Sequence, residues 1–235
     1  MGTVAYSNYP EAALALERVG SYESVNYEAV LALKPDLILA WRSGNGGAVA
    51  DRLRSLGLEV FVQEPKTLED VAATIVEVGQ LAGTQASAEE ASRQFLAELS
   101  RLKLSYSRQR VLSVYYQIWD DPLLTLNGEH LISDVIRLCG GRNVFSDALA
   151  LVSRISVESV LRADPDVIVA SGMDEARPEW LEKWRNWESL SAVKQGHLYF
   201  VPPDLLQRHT PRIIEGAAML CEHLEAARSP HQGAL

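Results

Sequence analysis

The amino-acid sequence predicts an α/β protein made of two related lobes with mainly parallel sheets, joined by one long α-helix. Three observations support this prediction. The chain contains an ungapped internal repeat, it has short runs of branched apolar residues between helical patterns, and one long helical pattern separates the two copies of the repeat. Continuous apolar strands between helices are typical of parallel sheets that are covered on both faces.

The repeat aligns residues 28–40 with residues 158–170, with seven identities in 13 positions. Each copy has a polar cap (Asn26 or Ser156), a short amphipathic helix, a Pro-Asp turn and an apolar strand. Because only two copies exist, 130 residues apart, the chain is predicted to be a pair of lobes rather than a solenoid. The predicted strands are residues 37–40 and 59–63 in the first lobe, and residues 110–117, 167–170 and 197–201 in the second.

The long helical pattern covers residues 88–106 and follows a predicted cap at Ser87. Its apolar residues Phe95, Leu99 and Leu102 recur at helical spacing. Further helices are predicted from about residue 129 to 138, and from a Thr-Pro start at residues 210–211. The predicted domains are an N-terminal lobe at 1–86, a linking helix at 87–108, a C-terminal lobe at 109–227 and a disordered tail at 228–235.

Several functional classes are disfavoured by composition and motifs. The formal charge of −9 and the lack of a basic stripe argue against a nucleic-acid partner. No apolar run reaches the roughly 18 to 20 residues that cross a bilayer, so no membrane insertion is predicted. The five histidines and two cysteines lack metal-binding spacings, so no metal site is predicted, and each histidine is interpreted as a surface or helix residue. An α/β enzyme of unidentified activity stays an alternative, although no G-x-S-x-G elbow, P-loop or complete G-x-G-x-x-G fingerprint is present.

Five segments carry a resemblance to a known family. They are Tyr-Ser-Asn-Tyr-Pro at 6–10, Leu-Lys-Pro-Asp-Leu-Ile-Leu-Ala-Trp-Arg at 33–42, Asn-Gly-Glu-His at 127–130, Cys-Gly-Gly-Arg-Asn-Val-Phe at 139–145 and Arg-His-Thr-Pro-Arg-Ile at 208–213. In this order they resemble the class III periplasmic substrate-binding proteins with a helical backbone, most closely the cobalamin-binding members that serve an ABC importer. The resemblance implies a monomeric, non-enzymatic periplasmic protein without a cofactor, which holds a corrinoid in a cleft and delivers it to permease subunits. The sequence has no basic n-region followed by an apolar h-region, so an export signal is expected to be absent from this chain.

The resemblance also implies ligand-binding residues in both lobes. Tyr6, Tyr22 and Trp41 are the aromatic candidates of the first lobe, and packing is the alternative role for Trp41. The candidates of the second lobe are Asp204, Leu205, Leu206, Gln207 and Arg208. The best-known cobalamin binders have aromatic residues at the positions of Leu124, Val152, Leu205 and Leu206, and Trp119 is the candidate replacement. A siderophore or haem binder of the same fold is therefore the nearest alternative, and a partner-binding remnant of a truncated gene is another.

The repeat pairs two acidic residues, and the second lobe holds both cysteines. Glu28 and Glu158 match glutamates with which the resembling proteins dock on permease arginines; helix capping alone is the alternative. Cys139 and Cys221 match a disulfide of the resembling proteins, and two free buried thiols are the alternative.

The two lobes differ in the length of chain before the repeat. In the second lobe, 48 positions separate Arg110 from Glu158, whereas only 27 residues precede Glu28 in the first lobe. A first strand and helix are therefore expected to be missing, which would expose a sheet edge.

Overall fold

The chain is described from a computed structural model that covers residues 1–21, 24–45, 47–172 and 179–229, with Asn45 as main chain only. Contacts divide it into two compact units, Met1–Glu64 and Pro65–Leu235. Each unit combines helices with parallel strands, which confirms the predicted α/β class.

The first unit contains two pairs of parallel strands. Its elements are β1 (Gly2–Thr3), a 3-10 helix (Glu11–Ala15), β2 (Glu17–Arg18), α1 (Tyr27–Ala32), β3 (Ile38–Trp41), α2 (Arg42–Asn45), α3 (Gly47–Ser55) and β4 (Val60–Gln63). Strand β1 pairs with β2, and β3 pairs with β4. Val30, Ala40, Leu53 and Val60 lie in one hydrophobic core, so α1 and α3 bury their apolar faces against the β3–β4 pair.

The second unit is built on a four-stranded parallel sheet in the order β10-β9-β5-β7. Its elements are α4 (Leu68–Leu81), α5 (Gln85–Tyr106), β5 (Leu112–Gln117), β6 (Leu124–Leu126), α6 (Leu131–Leu138), β7 (Gly141–Asn143), β8 (Val152–Arg154), α7 (Val157–Ala163), β9 (Val167–Ala170), α8 (Glu179–Glu182), a 3-10 helix (Lys183–Asn186), α9 (Ser191–Lys194), β10 (Leu198–Phe200), α10 (Pro203–Leu206) and α11 (Ile213–Arg228). Strands β6 and β8 form a separate antiparallel pair. All four residues of β9 are buried, as expected for a strand covered on both faces.

The two copies of the repeat adopt the same local structure. Asn26 and Ser156 each cap a helix by accepting a hydrogen bond from the main-chain N–H three residues later, at 3.0 and 3.3 Å. The chain leaves the two helices through Lys34 and Asp164, whose φ angles of 45° and 39° lie in the left-handed region. It then enters β3 in the first unit and β9 in the second. Strand β3 pairs in parallel with β4, and β9 pairs in parallel with β10.

Helix α5 is the long helix that the sequence predicts, and it begins three residues earlier, at Gln85. Its 22 residues correspond to about 33 Å at 1.5 Å per residue. Phe95, Leu99 and Leu102 are buried, so the predicted apolar stripe is the face that packs on the core of the second unit.

Helix α4 packs against α5 and lies close to it at Gly79. A Cβ atom on Gly79 would lie 2.1 Å from the Cβ of Ala88, so a larger residue would push the two helices apart. Leu68 of α4 joins the core of the second unit. The division between the units therefore follows Glu64, whereas the sequence places the end of the first lobe at residue 86.

Helix α11 differs from its predicted bounds at both ends. It begins at Ile213, because the segment from Thr210 forms a turn instead of the first helical residues. It extends to Arg228, whose guanidinium donates hydrogen bonds to the carbonyl oxygens of Arg110 at 2.8 Å and Cys139 at 2.6 Å. Arg228 is thus held in the fold rather than in a tail, and residues 230–235 lie outside the described part of the chain.

The predicted disulfide is confirmed. Cys139 caps the C-terminus of α6 and is bonded to Cys221 of α11, which lies 82 positions further along the chain, with 4.6 Å between their Cα atoms. Both cysteines are fully buried in the core of the second unit. The bond therefore ties the last helix of the chain to the first βα element of the four-stranded sheet.

Candidate ligand-binding surface

The candidate residues of each unit lie beyond the carboxyl ends of parallel strands. Trp41 is the last residue of β3, and its counterpart in the repeat, Ser171, directly follows β9. Helix α10, which carries the second group of candidates, begins three residues after β10 ends. Open parallel sheets bind ligands at this edge, so each unit presents its predicted residues on a suitable surface.

The Trp41 side chain is held against the short helix that follows it. A Cβ atom on Gly44 would lie 2.2 Å from Cε3 of Trp41, so the indole ring occupies the space that a side chain at residue 44 would need. The same helix is fixed to the end of β4, since the main-chain N–H and the hydroxyl of Ser43 donate to the Glu64 carboxylate at 2.7 and 2.8 Å. The absence of a side chain at Gly44 therefore determines where the indole ring lies.

Tyr6 lies in the loop after β1, and 52% of its surface is exposed. Arg18 shapes this loop, because its Nη1 atom donates to the carbonyl oxygens of Val4 at 3.1 Å and Ser7 at 3.0 Å. Tyr6 thus presents an aromatic face on a loop that is anchored to β2. Tyr22, the third aromatic candidate, lies outside the described residues.

Two candidates on α10 are packing residues. Leu206 has no exposed surface and lies in the core of the second unit, and Leu205 is buried as well. The main chain of Leu205 passes so close to α11 that a Cβ atom on Gly216 would lie 2.6 Å from the Leu205 carbonyl oxygen. The sequence placed Leu206 among the ligand contacts. In the structure its apolar side chain packs in the core and holds α10 against the second unit.

The polar candidates around α10 are held by specific partners. Arg208 forms an ion pair with the buried carboxylate of Asp204, 2.5 Å away. Gln207 donates from Nε2 to the carbonyl oxygen of Ser171 at 2.6 Å, which fixes α10 to the end of β9. Asp204 is therefore a positioning residue for Arg208, and the partly exposed groups of this segment are Gln207 and Arg208.

Buried polar groups at the ends of β5 and β9 were not predicted. Gln117 ends β5 and accepts a hydrogen bond from Nε1 of Trp184 at 2.6 Å. Burial raises the pKa of Tyr116, and its neighbours Ser171 and Gln207 partly counteract this rise, so the phenol stays protonated. The signal that could have found them is a polar residue at the end of an otherwise apolar strand.

Two histidines lie together next to this segment, although the sequence suggested surface or helix positions. His130 is buried at the start of α6, where its Nδ1 atom accepts from the N–H of Ile132 at 3.1 Å. The rings of His130 and His209 meet edge to face with centroids 5.5 Å apart. The pKa of His209 is lowered to about 3, mainly because the ring is buried and to a smaller extent because of the charge of His130.

This depressed pKa predicts a loss of stability in acid. An unfolded histidine titrates near pH 6.5, so between pH 6.5 and about 3 the unfolded chain binds a proton that the folded chain excludes. The wild-type protein should lose unfolding free energy between pH 7 and pH 4, at ~1.4 kcal/mol per pH unit for this histidine. We expect this loss to be smaller in His209→Gln by about 3 kcal/mol. Urea unfolding at both pH values measures the difference. His223→Gln is the matched control, and an equal pH dependence of wild type and His209→Gln would refute the prediction.

The two repeat glutamates are exposed at the first turn of their helices, as expected. Glu28 and Glu158 follow their caps by two residues, and the pattern of burial from the cap to the first core residue is the same in both copies. The main-chain N–H of Glu158 and the Ser156 hydroxyl hold the pKa of Glu158 below its usual range. Both side chains are accessible to a partner.

Two of the four positions at which the resembling proteins have aromatic residues, Leu124 and Val152, are at least partly exposed. Leu124 lies in β6 and pairs with Arg154, and Val152 lies in β8 and pairs with Leu126 of this antiparallel strand pair. Trp119 bridges to Leu124 and donates from Nε1 to the carbonyl oxygen of Asp121 at 2.9 Å. An aromatic ring is thus present beside this strand pair.

The described residues lack two further features. Within residues 1–21, 24–45, 47–172 and 179–229, no group of three or more His, Cys, Asp or Glu side chains is arranged to hold a metal ion. Among these same residues, no helix is both long and apolar enough to span a bilayer.

The fold and the surface at its strand ends define a substrate-binding protein. A sequence profile for periplasmic binding proteins matches residues 1–205, and the chain belongs to this family. Its relatives include the vitamin B12-binding proteins of Vibrio cholerae (34% identical over 224 residues, 95% of this chain and 80% of the relative) and of Yersinia pestis (34% over 226 residues, 96% and 79%). The resemblance drawn from the sequence is thereby confirmed.

Solved structures agree with this assignment. The periplasmic vitamin B12 binding protein of Vibrio cholerae matches with a TM-score of 0.87 and 33% identity, over 96% of this chain and 88% of the other. A periplasmic haem-binding protein from Roseiflexus sp. RS-1 matches with a TM-score of 0.83 over 97% of this chain and 90% of the other, at 20% identity. The second match shows that the two proteins share a fold.

Proposed function

We propose that this protein captures cobalamin in the periplasm and delivers it to the permease subunits of an ABC importer. The observation that carries the proposal is the similarity to the vitamin B12 binding protein of Vibrio cholerae, in sequence and in structure, over nearly the whole chain. The buried disulfide supports an oxidising location outside the cytosol.

The candidate residues of the two units suit a corrinoid. Cobalamin has a broad, partly apolar face with amides at its rim, so a binding site needs flat aromatic groups and a few polar groups that fix its orientation. The proposed aromatic contacts are Tyr6, Tyr22 and Trp41, and the proposed polar contacts are Gln207 and Arg208. Asp204 pairs with Arg208, and the buried Leu205 packs below the surface of the same segment, so these two residues position Gln207 and Arg208.

Isothermal titration calorimetry tests the proposal directly. The purified protein is titrated with cyanocobalamin, with haem and with a ferric hydroxamate siderophore under the same conditions. We expect one cyanocobalamin per chain, bound at least about 100-fold more tightly than the other two, a difference of ~2.7 kcal/mol. If haem or the siderophore binds more tightly than cyanocobalamin, that compound is the ligand in place of cobalamin. If none of the three binds, the proposed transport role is refuted.

We expect Trp41→Ala to weaken cyanocobalamin binding by about 1 to 3 kcal/mol, because a stacked indole contributes apolar area and ring contacts. Gly44→Ala should weaken it as well, since the new Cβ would displace the indole ring. Trp187→Ala, at another partly exposed tryptophan, is the matched control. Calorimetry gives the dissociation constants, and an unchanged value for Trp41→Ala would assign Trp41 to packing.

A further inference from the structure

The side chain of Gln207 has a fixed orientation at the strand ends of the second unit. Its Nε2 atom donates to the carbonyl oxygen of Ser171 at 2.6 Å, so the nitrogen end of the amide faces the sheet. The other end, Oε1, makes no hydrogen bond with any residue in the described ranges and is not enclosed. An amide oxygen is only an acceptor, so Gln207 offers an acceptor to a group outside the fold.

Two buried hydroxyl groups below Gln207 maintain this orientation. The side chains of Tyr116 and Ser171 have no exposed surface, and neither hydroxyl reaches a described residue with the geometry of a full hydrogen bond. Burial raises the pKa of Tyr116, and Ser171 and Gln207 oppose this rise, as donors to the phenol oxygen do. Turning the amide over would place Oε1 against the phenol oxygen and the Ser171 carbonyl oxygen. The inward position of Nε2 is therefore favoured.

The cationic side chains of the same segment are balanced. Arg208 forms an ion pair with Asp204 at 2.5 Å, and Arg212 lies 3.9 Å from the carboxylate of Glu215. His209 is uncharged near pH 7, since burial is the main reason that its pKa is only about 3. A guanidinium without a counter-ion would favour an anionic ligand. Because both arginines face carboxylates, the segment instead suits a neutral polar group.

We propose that this segment is a subsite for a primary carboxamide at the rim of the ligand and that it discriminates against a carboxylate. An amide N–H of the ligand donates to Oε1 of Gln207, and Tyr116 and Ser171 are positioning residues that keep this oxygen outward. A carboxylate has no N–H and would place a second acceptor against Oε1. A site built to bind an N–H rejects analogues that lack it. The inference rests on the proposed function, because the amides are those of cobalamin.

The test compares cyanocobalamin with its three monocarboxylic acids, each of which has one propionamide of the corrin rim hydrolysed to a carboxylate. Calorimetry at pH 7 with the purified full chain gives the dissociation constant of each compound. The measured quantity is the ratio of the constants, acid over cyanocobalamin. We expect a ratio of about 10 or more for at least one of the three acids.

Three variants separate this role from packing. Gln207→Met keeps the length of the side chain without its acceptor, and Tyr116→Phe removes only the phenol oxygen; both should bring the ratio close to that of equal binding. Tyr115→Phe is the matched control and should keep the wild-type ratio. Tyr115 is a fully buried phenol of the same strand, but it packs against Phe145 and Trp184. Because the ratio compares two ligands on one protein, partial loss of folded protein does not change it.

The outcomes distinguish this inference from the proposed function. If the wild-type protein binds cyanocobalamin and all three acids equally, the carboxamide subsite is overturned and the capture of cobalamin stands. An unchanged ratio in Gln207→Met or Tyr116→Phe would also overturn the subsite. If the wild-type protein does not bind cyanocobalamin, the proposed function and this inference both fail.

Discussion

Replacing both Glu28 and Glu158 by lysine is expected to abolish delivery of cobalamin while leaving its capture intact. The two carboxylates are exposed at the same position of the repeat, one in each unit, so a pair of permease subunits could contact both in the same way. Losing a charged contact of ~2 kcal/mol lowers affinity about 30-fold, and reversing two charges adds repulsion. Cobalamin uptake by proteoliposomes that hold the cognate importer measures the effect.

A matched charge reversal separates docking from general electrostatics. Glu17 and Glu188 are also exposed, one in each unit, so Glu17→Lys with Glu188→Lys changes the net charge equally. This control should retain uptake. Calorimetry with cyanocobalamin should give the wild-type dissociation constant for both double variants. If Glu28→Lys with Glu158→Lys supports normal uptake, the two glutamates serve only their helix termini.

Loss of the Cys139–Cys221 bond is expected to have the largest effect on stability. The bond closes a loop of 82 residues, for which the chain-entropy treatment gives about 4 kcal/mol, a large part of the stability of an ordinary domain. We expect the double variant Cys139→Ala with Cys221→Ala to lose about this much unfolding free energy. Urea unfolding followed by circular dichroism provides the comparison.

The reduced wild-type protein is the control for this experiment. It keeps both sulfur atoms in the core and lacks only the bond, so its loss of stability separates loop closure from packing. Reduced wild type and the double variant should be destabilised to a similar extent. A loss below about 1 kcal/mol in both would show that the bond contributes little beyond the core around it.

The sequence by itself determined the local elements and their repetition. The caps at Asn26 and Ser156, the Pro-Asp turns and the apolar runs after them depend on neighbouring residues only, and each was found where it was predicted. The stripe on α5 was likewise readable from its spacing. The resemblance of five segments to one family added the disulfide, which composition alone left open.

Tertiary structure alone decided which of these residues are exposed and what surrounds them. Leu206 is buried because α10 packs on the core, and His209 is difficult to protonate because distant segments exclude water from it. Leu39 and Val169 occupy the same position of the repeat, yet Leu39 is 48% exposed whereas Val169 is fully buried in the core of the second unit. Burial depends on neighbours that are remote in sequence, so two similar segments can have the same local structure and present different surfaces.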